Sequence, residues 1–270
     1  MLVIVTGIIA LAVFLPVIHL FSYALKVRSE PIAIPDPRRG AILASLIILL
    51  SFVAVLLWRV STHMFQLDTC SHMFSVDPAC PRVVVDVVDV PWLLVLHAPA
   101  LLAIFVVLKR TEQKLGSIGI GGGDWRRMLV LGVMVSAIFV TISGLIAPSL
   151  GGGFAGFSTT LAYGLAFFAI VGFSEEIVWR GFVQTRLTAY SGRLKGLAIT
   201  SLFFAVLWHF PAEYYAQSGA VLAALAGTLT RVPPGLLFGY LMLRSQNVIP
   251  SSIFHLFWNW NIILWQVPTV

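Results

Sequence analysis

Eight stretches of mostly apolar residues, near 2–25, 40–60, 90–108, 128–147, 157–178, 197–212, 220–243 and 249–267, leave this sequence few folds to choose from. A helix needs about 20 apolar residues to cross about 30 Å of hydrocarbon. Within lipid every backbone N–H and C=O must be bonded inside its own helix or inside a closed barrel. These runs are too long and too continuously apolar for barrel strands. The expected fold class is all-α, a polytopic transmembrane helical bundle of about eight spans. The chain is 59% hydrophobic and only 10% charged, whereas soluble domains carry about 25% charged residues. The first stretch has no charged leading region and no small-residue cleavage site, so it is expected to stay as the first span.

Where the charges lie decides what the net charge of +6 means. With the amino terminus outside, the inward-facing loops hold 14 of the 17 basic residues, among them Lys26, Arg38, Lys109, Arg126, Arg180, Arg186 and Arg244. The outward loops hold Arg59 and Arg82, and Arg231 falls inside the seventh apolar stretch, where snorkelling outward is expected. That asymmetry follows the positive-inside rule and accounts for the basicity without nucleic acid. The expected setting is a lipid bilayer: integral, multi-pass, the plasma or inner membrane if the host is bacterial. Residues 1–150 supply four spans and an external loop at 61–90, and residues 151–270 supply the other four. Cys70 and Cys80 fall in that loop, where an oxidising compartment permits one disulfide. Two linkers are expected, the proline-rich RSEPIAIPDPRRG and the flexible, glycine-rich GSIGIGGGDWRR. No internal repeat of the inverted transporter kind is evident.

Ionisable side chains inside hydrocarbon cost roughly 2.5–3.5 kcal/mol on insertion scales and mark function by default. They cluster in the last hundred or so residues. Glu175 and Glu176 stand in AIVGFSEEIVWRGFVQTRL, at the inner end of the fifth span. If the helix continues, Glu176 and Arg180 share a face and pair, while Glu175 points about 100° away, toward the bundle interior. Two adjacent carboxylates thus split into a paired, structural one and one free for proton chemistry. His209 stands late in the sixth span, in LFFAVLWHFPAEY, and His255 and Asn259 share a helix face in SSIFHLFWNWN. A base, an imidazole and an imidazole–carboxamide pair meet the needs of amide hydrolysis, in which water is deprotonated and a developing oxyanion is hydrogen-bonded. Each group also has a plainer reading: a charge-paired helix end, an interhelical contact, polar glue between helices. His63, His72 and His97 carry no functional expectation.

The EEIVWRGF segment resembles the EExxxR signature of the CPBP intramembrane proteases, which include the type II CAAX prenyl endopeptidases and bacteriocin-processing relatives. His209 after FFAVLW resembles that family's second motif, and SQNVIPSSIFHLFWN its third, HxxxN; the resemblance covers roughly 157–261. One position departs from the pattern: the Phe usually found four residues before the histidine is Ala205, with Phe204 one place earlier. The resemblance implies that Glu175 and His209 activate the attacking water. It implies that His255 and Asn259 stabilise the oxyanion, and that Glu176 and Arg180 orient the site. The family has been described both as metal-dependent and as glutamic-type. No HExxH occurs here, and the expectation is no cofactor and no metal; a bound zinc would take Glu175, His209 and His255, with an open fourth position.

The leading reading is therefore an intramembrane endopeptidase acting on a membrane-associated or lipidated protein or peptide, its site toward the cytoplasmic side. By helical rise His255 lies about 9 Å in from that face. Two other classes compete: a catalytically silent scaffold or bacteriocin-immunity-type protein of the same fold, and a proton- or cation-coupled transporter. All six motif positions are intact, which disfavours the scaffold. The absent repeat and the clustering of polar groups near one face disfavour the transporter.

Overall fold

A computed structural model describes residues 2–27, 31–64, 89–121, 124–216 and 220–265. The helices are α1 (Leu2–Ala24), α2 (Pro37–Met64), α3 (Asp89–Arg110), α4 (Trp125–Ile146), α5 (Thr159–Glu176) and α6 (Thr185–Ser191). They continue with α7 (Arg193–Phe203), α8 (His209–Ala216), α9 (Val221–Leu229), α10 (Val232–Ser245) and α11 (Val248–Trp265). No strand occurs among the described residues, so the all-α expectation holds. Cys70, Cys80 and His72, with most of the 61–90 loop, lie outside the described residues.

Among the described residues, six helical stretches are long and apolar enough to span a bilayer: Gly7–Ala24, Pro37–Val60, Trp125–Leu150, Thr159–Ser191, Arg193–Tyr214 and Val221–Ser245. The expected third and eighth spans are helical, as α3 and α11, but are not among these six. Eight was an approximate count for a physical reason. α11 carries Ser251, Ser252, His255, Asn259 and Asn261, and its first three polar residues are buried in the protein rather than offered to lipid. It packs against α5, α4 and α10, which makes it the axis of the bundle. Around it, α1 lies on α10 and α4, while α2 and α3 cover the chain that follows α5.

The fifth span runs further than the apolar run suggested. α5 continues without a break through a π-helical segment, Ile177–Gln184, into α6. Arg180 and Arg186, expected in an inward loop, are therefore inside a helix and fully buried. Arg186 donates to Gln113 Oε1 at 2.7 Å and lies over the Phe182 ring, 3.7 Å from its centroid, so it fastens the 111–118 connection to the bundle. That connection is no flexible linker at its start: Leu115–Ile118 is a 3-10 turn and Ile118 is buried. A Cβ on Gly181 would stand 2.6 Å from the Ile118 carbonyl oxygen, so only glycine lets this turn seat on the π segment. Arg231, expected to snorkel outward, keeps a partly exposed side chain (40%). The seventh span breaks between α9 and α10, and Arg231 pairs with Glu213 on α8 at 3.4 Å.

Close approach of helices needs small residues, since lipid supplies no hydrophobic drive between them. At Gly172 of α5 an added Cβ would lie 2.9 Å from the Ser252 carbonyl oxygen and 3.1 Å from the Leu256 nitrogen, both α11 backbone. Backbone cannot swing aside as a flexible side chain can. Gly172→Val is expected to push α11 off α5 and destabilise the purified protein by about 1–3 kcal/mol, read as a lowered thermal midpoint in detergent. An unchanged midpoint would show that the α5–α11 contact is looser than this spacing.

Candidate active site

Both π-helical segments among the described residues adjoin the motif residues. Glu175 and Glu176 end α5, Arg180 sits in the π segment that follows, and a second π turn, Phe204–Trp208, immediately precedes His209. A π turn bonds i to i+5 and recurs at functional sites because it re-aims side chains that α-winding would place elsewhere.

Glu176 and Arg180 are both fully buried and pair at 3.2 Å. Arg180 also donates to the Gly235 carbonyl at 3.3 Å. Its guanidinium lies 4.1 Å from the centroid of Phe204 and 5.3 Å from that of Phe238. Removal from water is thus offset by a carboxylate, a carbonyl and two aromatic faces. The same Glu176 Oε1 is 3.0 Å from His255 Nδ1, and a carboxylate paired with arginine only accepts, so Nδ1 carries the donated proton. The His255 ring stacks on Phe238, centroids 4.4 Å and planes 19° apart. With its tautomer and plane held, His255 turns Nε2 toward Glu175, 3.8 Å from Oε2. That gap is too long for a direct hydrogen bond. Glu175 is buried, and its Oε2 has no hydrogen-bond partner among the described residues. Among the groups that act on its carboxylate is the indole N–H of Trp208.

His209 joins this group through Phe204. Its Nδ1 is 3.0 Å from the Phe204 carbonyl oxygen; a carbonyl cannot donate, so Nδ1 is protonated and Nε2 keeps a lone pair to accept with. The Phe204 ring meets His209 edge-on at 4.9 Å and His255 at 6.0 Å. The five-residue spacing that departs from the family pattern is one π turn, so Phe204 stands beside the histidine despite the offset. Ala205 is buried in its place. Asn259 is half-buried one turn beyond His255 on α11, and among the described residues none hydrogen-bonds its carboxamide. The structure thus joins Glu175, Glu176, Arg180 and His255 directly, brings in His209 through Phe204, and leaves Asn259 at the margin.

Three neighbours were missed by sequence reasoning: Trp208, Phe238 and His97. His97 is 3% exposed and stacks on Trp208. It lies within an apolar stretch, so the rule that singled out His209 applied equally to it; only its distance in sequence from the motifs hid it. No three His, Cys, Asp or Glu side chains among the described residues are grouped as a metal site would group them. Nδ1 of His209 and Nδ1 of His255 are both committed to protein acceptors. That leaves Nε2 of each ring as the nitrogen able to meet a metal or a substrate, since a ligating histidine usually commits its other ring nitrogen in this way.

Residues 157–261 match the model of the family described as type II CAAX prenyl endopeptidase Rce1-like. That segment is a CAAX-protease domain. The CAAX-protease segment begins just before α5 and ends within α11, so it contains both π turns and every residue of the motifs. The match supports a protease in general, and the apolar helices support an integral multi-pass membrane protein. Comparison with curated proteins found no match, and neither did comparison with solved structures.

Proposed function

We propose that the chain hydrolyses a peptide bond near the membrane surface in a membrane-associated or lipidated protein, using water activated by Glu175 and His209. The observation that carries this reading is the unlike state of two adjacent carboxylates. Glu176 is spent on Arg180 and His255, whereas Glu175 Oε2 is buried without a hydrogen-bond partner, 3.8 Å from His255 Nε2. Glu175 takes a proton from water as the water oxygen attacks the carbonyl carbon. His209 Nε2, its lone pair free, accepts from the same water and aims it. Asn259, one turn along α11 from His255, offers its carboxamide N–H to the oxygen on which charge develops, and His255 adds a second donor there when its Nε2 carries a proton as well as Nδ1. Collapse of the tetrahedral intermediate breaks the C–N bond, and the proton held by Glu175 passes to the leaving amine. Atoms balance with water as the only co-reactant, and the mechanism calls on no resident cofactor.

The distribution of basic residues supports an amino terminus outside and a site opening toward the cytoplasmic side. Partners on this reading are a membrane protein or lipidated peptide and the bilayer itself, with no nucleic acid. The test compares native membranes bearing the wild-type chain or Glu175→Ala and maps protein termini by mass spectrometry. Termini that vanish in the variant, at unchanged level of the chain, are the expected result and identify the substrate class. Unchanged termini, with a phenotype only on deleting the whole protein, would favour the scaffold or immunity reading instead.

A further inference from the structure

One wall of the site comes from outside the CAAX-protease segment. His97 lies in α3, and its imidazole stacks on the Trp208 indole with centroids 5.5 Å and planes 27° apart. Trp208 closes the second π turn. On another side it meets the Trp179 ring edge-on, at 6.2 Å and 69°. The indole is thus held between an α3 imidazole and a π-segment indole, with its one polar atom acting on the Glu175 carboxylate. Leu96 and Ala100, neighbours of His97 on α3, pack in the same apolar cluster as Trp58, Trp179 and Trp208, so α3 has a fixed seat from which to present the imidazole.

We infer that His97 is a positioning residue of the protease: by stacking on Trp208 it holds the indole N–H against Glu175 and so fixes the carboxylate that serves as base. The inference deepens the proposed function and rests on its assignment of Glu175. It also gives the first half of the chain a part in the site, since α3 lies wholly outside residues 157–261. The π segment brings the Trp179 ring against Trp208, and α3 brings the imidazole of His97.

The test uses the full-length protein in nanodiscs, with a farnesylated peptide ending in a CAAX sequence as the probe. His97→Ala is expected to lower kcat by about 10²-fold, the order associated with a misplacement near 1 Å, with KM held within about twofold. His97→Phe restores a ring and is expected to recover most of that loss. Trp208→Phe removes the N–H and should match His97→Ala, and the double variant should be no worse than the poorer single one. The second readout needs no substrate. In protein labelled with 15N-tryptophan, the Trp208 indole resonance, assigned by its loss in Trp208→Phe, should shift in Glu175→Gln and in His97→Ala but not in His97→Phe. Multiplying losses in the double variant, a His97→Phe as impaired as His97→Ala, or an indole resonance indifferent to His97→Ala would each overturn the inference. Failure of the wild type to cut the prenylated peptide would count against that substrate class instead, and the indole resonance would still decide the role of His97.

Discussion

Glu175→Gln is expected to lower peptide hydrolysis by about 10²–10⁴-fold, the usual contribution of a positioned general base, without lowering the amount of folded protein. The two halves of that result have separate causes. Glutamine keeps the shape of the side chain and an oxygen on which Trp208 still acts, so packing beside His255 is preserved. It has no basic carboxylate to take a proton from water. Because Glu175 Oε2 has no hydrogen-bond partner among the described residues and lies 3.8 Å from His255 Nε2, no hydrogen bond of that oxygen is lost with the charge. Single-turnover kinetics on a prenylated peptide, with thermal melting alongside, checks both halves. A variant that stayed active would move the base to His209, and one that failed to fold would make Glu175 a structural carboxylate like its neighbour.

Arg180→Leu is expected to do the reverse, destabilising the fold by about 3–5 kcal/mol, the usual result of removing one partner of a buried pair. Glu176 would then be fully buried with only His255 to compensate it. Two aromatic faces, Phe204 and Phe238, would lose the cation between them. His255 stacks on one of those rings and hydrogen-bonds the same Glu176 oxygen as Arg180. Loss of the arginine therefore loosens the histidine as well, and activity should fall together with stability. The measurement is a thermal midpoint in detergent for Arg180→Leu, Glu176→Gln and the double variant. The double variant should be less destabilised than Arg180→Leu, because it leaves no unpaired buried charge. Equal, additive losses would mean that the two side chains act independently.

These expectations draw on different kinds of information. The helical class, the multi-pass membrane setting and the identity of the motif residues are written locally, in runs of apolar residues and in short spacings, because lipid imposes one rule on every backbone group it surrounds. The pairing of Glu176 with Arg180 was readable for the same reason: four residues along one helix are neighbours. What only the tertiary structure decided involves changes of winding and partners remote in sequence. Hydropathy does not register a π turn, so the continuation of α5 to Ser191 and the placing of Phe204 beside His209 could not be read from the chain. The burial of Arg186 against Gln113 and the pairing of Arg231 with Glu213 were likewise hidden, since a cation looks the same in sequence whether it faces water or an acceptor on another helix. His97 is the clearest instance: a histidine whose sequence neighbours say nothing, given its significance by a tryptophan more than a hundred residues away. Apolar burial and helix-forming rules act between near neighbours and so leave a pattern in one dimension, whereas a site is assembled by contacts among helices, which exist only once the bundle has closed.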